Sequence, residues 1–157
     1  MTASLRFDLP SPHVMNIRVE ESDIDAYQHV NNAVYVTWCD HSAWHHSAAL
    51  GLPIGRCLEL GRGMAVLRTS IAYLRPAFSG DSLLMATWLL PAQGRLCLRR
   101  RFQLLRPIDG ITLARAEVEY ACIELSSGRP VRWPAEFHPA YAIRPDVLAD
   151  LPTLAPL

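Results

Sequence analysis

From Val14 to Glu21 polar and apolar residues alternate, with Met15, Ile17 and Val19 set against Asn16, Arg18 and Glu20. Side chains along a strand point to opposite faces in turn, so this pattern predicts a half-buried β-strand. The period changes at about Asn32. From there to Leu50 the residues Val34, Tyr35, Trp38, Ser42, His45 and Ala49 recur at helical steps, until Gly51 and Pro53 stop the run. A helix with few charges on any side is one that a sheet largely covers. Four strand-like runs follow: Met64–Leu74, Leu83–Leu90, Arg95–Leu105 and Ile111–Leu125. In the third, Leu96, Leu98, Phe102 and Leu104 share a face, with Arg99, Arg101 and Gln103 opposite. In the fourth, Ala114, Ala116, Val118, Tyr120 and Cys122 oppose Arg115, Glu117 and Glu119. The turns between these runs are short: Ser79-Gly80-Asp81, Pro91-Ala92-Gln93-Gly94 and Pro107-Ile108-Asp109-Gly110. Short turns join antiparallel neighbours. The predicted order, strand, long helix, four strands, is an α+β layer pair of one helix on one antiparallel sheet.

The ends lack this periodicity. Residues 1–12 are expected as a flexible N-terminal arm. Residues 13–157 form a single domain whose last segment holds half of the 12 prolines and should be irregular, with at most a short helix. A chain of 157 residues can bury a core as one domain. Its 15 basic and 15 acidic residues balance, which excludes the strongly basic footprint of a nucleic-acid binder. No stretch approaches the ~20 apolar residues of a membrane span, and the N-terminus lacks a basic segment followed by an apolar run. Cys39, Cys57, Cys97 and Cys122 are far apart, without a C-x-x-C pair, which argues against a disulfide scaffold or a zinc ribbon. The expectation is a cytoplasmic protein without membrane insertion.

The chemistry concentrates in Asp25-Ala26-Tyr27-Gln28-His29-Val30-Asn31-Asn32, just ahead of the helix. Asn31 is a preferred N-cap, and Asn32, Ala33 and Val34 then present N–H groups at the positive end of the helix dipole. Such an end stabilises negative charge on oxygen, and Asp25 lies a short loop away. A carboxylate facing an oxyanion site suits acyl transfer, and a thioester asks least of it. Its thiol leaving group, with a reference pKa near ~8.5, needs no strong general acid. The plainer reading makes Asp25 a loop carboxylate in an Asx-turn. Asp23 is a rival carboxylate two residues away, and His29 would shape the loop or orient Asp25.

Asp25-x-Tyr-Gln-His-Val-Asn-Asn, followed by Tyr35 and Trp38, resembles the acyl-CoA thioesterases of the hotdog fold. It is most similar to the 4-hydroxybenzoyl-CoA thioesterase-like group and its long-chain fatty acyl-CoA branch. A second similar stretch runs from Tyr73-x-x-Pro76 through Gly80-Asp81-Ser82-Leu83. The resemblance implies one long helix wrapped by a five-stranded antiparallel sheet. It implies Asp25 as general base or nucleophile, the Asn32 N–H as oxyanion donor, and His29, Asn31 and Tyr35 at the pocket. The acyl chain would run between helix and sheet, with Trp38 and the Met64–Leu74 strand as apolar walls. It further implies a homodimer or homotetramer, no cofactor beyond the coenzyme A of the substrate, and a nucleotide contact at Arg129 and Arg132. Two other readings stay open. A hotdog hydratase or dehydratase would use Asp and His as an acid–base pair, but the spacing associated with that branch is one residue longer than Asp25-x-x-x-His29. A non-catalytic dimer would bind acyl-CoA without turning it over.

Three further patterns have simpler explanations. Asp40, His41, His45 and His46 place His41 and His45 at i, i+4, yet lack the H-E-x-x-H arrangement, so no metal is expected. Gly80-Asp81-Ser82-Leu83 spells the GDSL hydrolase signature, but no downstream Asp-x-x-His accompanies it and a turn explains it. Arg95, Arg99, Arg100, Arg101 and Arg106 are expected on a solvated strand face.

Overall fold

The computed structural model describes residues 5–157. Its strands are β1 (His13–Arg18), β2 (Arg62–Tyr73), β3 (Ser82–Leu90), β4 (Cys97–Arg106) and β5 (Ile111–Glu124). They form one antiparallel sheet in the order β1-β3-β4-β5-β2. The long helix α1 (Asn32–Ala49) lies on one face, giving the α+β hotdog arrangement expected above. Boundaries agree with the periodicity to within three residues.

Helix α1 buries Tyr35, Trp38, Cys39, Ser42, Ala43 and Ser47 against the sheet. Its other side, with Val36, Thr37, His41 and Ala48, is exposed, so the expectation of a largely covered helix does not hold. His45 and Ala49, placed on the buried face by spacing, are also exposed; Cys39, Ala43 and Ser47 take that face instead. A second helix, α2 (Ile54–Leu60), follows Pro53 and ends at Gly61 in the left-handed conformation, φ 62°. Pro53 was expected to terminate a helix. It instead precedes one, since its fixed φ suits a helix start and costs no hydrogen bond there. In the tail, α3 (Phe137–Ala140) and α4 (Pro145–Asp150) are short.

The arm and the tail correct the sequence reading most. Residues 1–4 lie outside the described residues. From Leu5 onward the arm is seated on the back of the sheet. Leu9 is buried there with Trp88, Leu90, Leu105 and Val147, and Phe7 packs edge-on to Trp88 with centroids 6.5 Å apart. Each large apolar side chain so buried contributes on the order of 2 kcal/mol. The arm is also hydrogen-bonded: Trp88 Nε1 donates to Pro10 O at 2.8 Å and Gln103 Nε2 to Arg6 O at 3.0 Å.

Under this cover the arginine-rich strand is not solvated. Arg100 is 2% exposed on the helix side of the sheet, and Arg101 is 0% exposed on the back. Arg101 pairs with Asp8 at 3.1 Å and Glu117 at 3.2 Å, and donates to Ala155 O at 2.9 Å. Both faces of β4 are thus interior, which a sequence pattern of alternating charge does not announce.

Candidate active site

Between the 3-10 turn Glu21–Asp23 and α1 the chain forms a small closed loop. Ile24 and Val30 make an antiparallel bridge. Asp25 N–H donates to His29 O at 3.0 Å and Gln28 N–H to Asp25 O at 3.0 Å. Gln28 takes the left-handed conformation, φ 64°, that tightens the turn. A left-handed non-glycine residue is uncommon and persists where surrounding bonds hold it. Asp25 Oδ1 accepts the Tyr27 N–H at 2.8 Å, the Asx-turn of the plainer reading. Its other oxygen, Oδ2, meets no donor among the described residues, so the turn fixes the carboxylate without consuming it.

The first turn of α1 is capped as the sequence predicts: Asn31 Oδ1 accepts the Ala33 N–H at 2.9 Å. The Val34 N–H donates to Asn31 O at 3.0 Å, and the Asn31 N–H to Asp23 O at 2.8 Å. Three of the four N–H groups at this helix end are therefore taken. The fourth, that of Asn32, meets no acceptor among the described residues and sits at the positive end of an 18-residue helix.

The sheet holds this helix end in place. Val30 N–H donates to Ala77 O at 2.9 Å, and Tyr35 OH accepts the Ala77 N–H at 3.3 Å. Tyr73 OH donates to Asn32 O at 3.0 Å, with the Tyr35 and Tyr73 rings edge-to-face at 5.1 Å. Burial pushes both phenols above the ordinary tyrosine range, which keeps both protonated. Tyr73 and Ala77 carry no functional signature of their own. The only sequence signal for them is the stretch from Tyr73 to Gly80 that resembles the family.

The other expected residues divide. Asp23 is spent on structure: its Oδ2 accepts the Glu20 N–H at 2.9 Å. His29 is half-buried, and its link to Asp25 runs through the backbone, with no side-chain bond between them. Tyr35 and Trp38 are 4% and 7% exposed, so both are core residues first. Tyr35 also lines a narrow cavity with Cys39 and Ile71. Arg129 and Arg132 are exposed beyond the far end of β5. The β2–β5 ladder that separates them from Tyr73 runs from Tyr73↔Ala114 to Arg62↔Glu124, about 35 Å of strand. Within one protomer they do not meet Asp25. Gly80 and Asp81 form the β2–β3 turn, with Gly80 at φ 80°, and Ser82 opens β3 and accepts from Arg18 at 3.0 Å, which supports the turn reading. His45 Nδ1 lies 2.7 Å from His13 Nε2, and among the described residues no three His, Cys, Asp or Glu side chains converge to hold a metal. No described helix is long and apolar enough to cross a membrane.

An open carboxylate oxygen in the loop that leads into a helix end with an unpartnered N–H supplies a group that can take a proton or attack carbon and a group that can stabilise negative charge on a carbonyl oxygen. Comparison with known proteins gives the same direction. Two acyl-acyl carrier protein thioesterases of Arabidopsis thaliana, ATL3 and ATL2, are 26% and 25% identical over 46% and 76% of this chain. The chain spans only 38% and 53% of their lengths. The long-chain acyl-CoA thioesterase FadM of Escherichia coli is 28% identical over 71% of this chain and 83% of its own. Among solved structures, a 1,4-dihydroxy-2-naphthoyl-CoA thioesterase from Synechocystis superposes with a TM-score of 0.75 at 19% identity, covering 83% of this chain and 96% of that one. A family model described as the thioesterase-like superfamily matches residues 19–141, and the chain belongs to that superfamily.

Proposed function

We propose that the protein is an acyl-CoA thioesterase that hydrolyses a long-chain acyl-CoA to the free acid and coenzyme A. The observation that carries this is the joint availability of Asp25 Oδ2 and the Asn32 N–H, while Asp25 Oδ1 and the other three N–H groups of the helix end are bonded. The thioester oxygen accepts the Asn32 N–H, which polarises the carbonyl. Asp25 takes a proton from a water that adds to the carbonyl carbon; the tetrahedral intermediate then collapses, the C–S bond breaks and the thiolate leaves. Asp25 acting directly on that carbon, through a mixed anhydride, uses the same two groups. No step needs a metal or cofactor.

The active unit is proposed to be a homodimer joined through β2. This edge strand exposes Val66 (53%) and Leu67 (60%), and its outer backbone groups have no strand beside them. The back of the sheet, the other broad surface for association, is covered by the chain's own arm and tail. Antiparallel pairing of β2 with its copy would set the Arg62 end of one strand beside the Tyr73 end of the other. That would bring Arg129 and Arg132 across the interface towards the site, where guanidinium groups suit the phosphates of coenzyme A.

The test is thiol release with DTNB across acyl-CoAs from acetyl to palmitoyl and an aromatic acyl-CoA. Release concentrated in the long chains, and abolished by Asp25→Asn without loss of folding or binding, is expected. Unchanged hydrolysis in Asp25→Asn would refute the role of Asp25. Water addition to an enoyl-CoA with its thioester intact would turn the assignment to a hydratase. Binding without turnover of any thioester would leave an acyl-CoA-binding protein.

A further inference from the structure

Arg100 is 2% exposed on the inner face of β4, yet no carboxylate among the described residues forms an ion pair with it. Two of its five N–H donors are used, one to His46 Nδ1 at 2.7 Å and one to Ser47 Oγ at 2.9 Å. A guanidinium only donates, so His46 Nδ1 is the acceptor and the imidazole is neutral. Burial, with Arg100 next, pushes His46 down to about 3. Ser47 Oγ in turn meets Tyr141 OH at 3.0 Å, and the guanidinium carbon lies 5.7 Å from the Tyr141 ring centre. These neutral partners anchor α1 to the sheet, a task that needs no positive charge. A buried cation with no ion-pair partner is costly, and this one faces a cavity of about 50 Å³ whose lining also includes Asp40, Ala43, Trp44, Met64, Tyr120 and Tyr141. That space holds a few atoms, enough for the end of a chain.

The cavity and the candidate site lie along the same helix, α1, the site at its first turn and the cavity beside its last turns. Asn32, Val36, Asp40, Ala43 and Ser47 stand at steps of four, four, three and four, one flank of the helix that runs from the exposed Asn32, Val36 and Asp40 to the buried Ala43 and Ser47. A second small cavity, about 40 Å³, lies beside Val36, Asp40, Val66, Thr69 and Tyr120 and shares Asp40 and Tyr120 with the first. Asp40, exposed, lines both cavities and makes no ion pair with Arg100. From Asn32 to the Ala43–Ser47 turn the helix rises roughly 17 to 22 Å at about 1.5 Å per residue. Extended carbon chain with C–C bonds of ~1.5 Å advances roughly 1.25 Å per bond, so about 14 to 18 carbons span it.

We propose that Arg100 is a specificity-determining residue that receives the terminal carboxylate of a long-chain α,ω-dicarboxylic acyl thioester, whose other end is held at Asn32. This rests on the thioesterase reading. A carboxylate there supplies the charge Arg100 lacks and accepts its remaining N–H donors, while a terminal methyl leaves them unpaired.

The experiment compares kcat/KM for the mono-CoA thioester of hexadecanedioic acid with that for palmitoyl-CoA. The wild type should favour the dicarboxylic substrate by about 10- to 100-fold, the worth of a hydrogen-bonded charge pair. Arg100→Met should bring the ratio to about one or below, and Arg100→Lys should retain part of it. A wild-type ratio of one or less, or a ratio that Arg100→Met leaves unchanged, would overturn the inference. Where Arg100→Met does not fold, the wild-type ratio and Arg100→Lys decide. Failure of the thioesterase reading is separable: if no thioester is cleaved, calorimetric binding of free hexadecanedioate against palmitate replaces turnover. At least tenfold tighter dicarboxylate binding then supports the Arg100 site, and equal affinities sink it.

Discussion

Removing the Asp8 carboxylate should destabilise the protein far more than a change in a loose terminal arm would. Asp8 accepts Arg115 Nε and one terminal nitrogen, each at 2.8 Å, and Arg101 at 3.1 Å. Its side chain is 5% exposed and that of Arg101 1%. Breaking a buried ion pair from one side costs about 3 to 5 kcal/mol, because the remaining charge stays buried. Arg101 keeps Glu117 and the Ala155 carbonyl, and Arg115 is part-exposed, so the low end applies. Asp8→Ala should therefore cost about 3 kcal/mol, and at about 2 to 4 °C per kcal/mol for a chain of this size Tm should fall by roughly 6 to 12 °C.

The pH dependence supplies an internal control. Burial alone would raise the Asp8 pKa, but the hydrogen bonds and charges of Arg115 and Arg101 outweigh it and hold the carboxyl below its ordinary value. A depressed carboxylate contributes stability that is fully present above its unfolded pKa, about 3.9, and is lost as pH falls through the lower folded value. Urea unfolding of wild type and Asp8→Ala should thus differ by a constant amount from pH 7 to about pH 5, and the gap should narrow below about pH 4. A difference under about 1 kcal/mol at pH 7 would refute the seated arm, since surface substitutions stay within about 0.5 kcal/mol.

Asn31→Ala removes the cap from α1 and should cost about 1 kcal/mol by urea unfolding. Because it also loosens the turn that presents the Asn32 N–H, kcat should fall about tenfold with little change in KM; unaltered kcat would separate the cap from catalysis. Placing charge on the β2 edge with Val66→Lys and Leu67→Lys together should convert a particle of twice the 17.6 kDa chain mass into one of 17.6 kDa in light scattering. A wild-type protein that is already monomeric would exclude the β2 dimer.

The candidate site was legible because it is local. The bonds that shape it join residues within a few positions: Asn31 to Ala33, Asp25 to Tyr27, Asp25 to His29. The turn chemistry of Asn and Asp acts at that range. What escaped reading depends on partners far along the chain. Arg101 meets Asp8 across 93 positions and Arg100 meets His46 across 54, so period and charge alone placed both in solvent. Parity on β4 already set Arg100 beside Leu98 and Phe102, but charge is a weak guide where a strand is buried on both faces. The arm escaped for a related reason. Phe7 and Leu9 are too few to form a periodic signal, and their burial depends on a sheet back that exists only after β3, β4 and β5 have paired. That closure has a functional consequence. With the back of the sheet sealed by the chain's own ends, the broad apolar face is no longer open to a second copy. The proposed dimer therefore uses the β2 edge, a pairing that would set a second subunit beside Asn32.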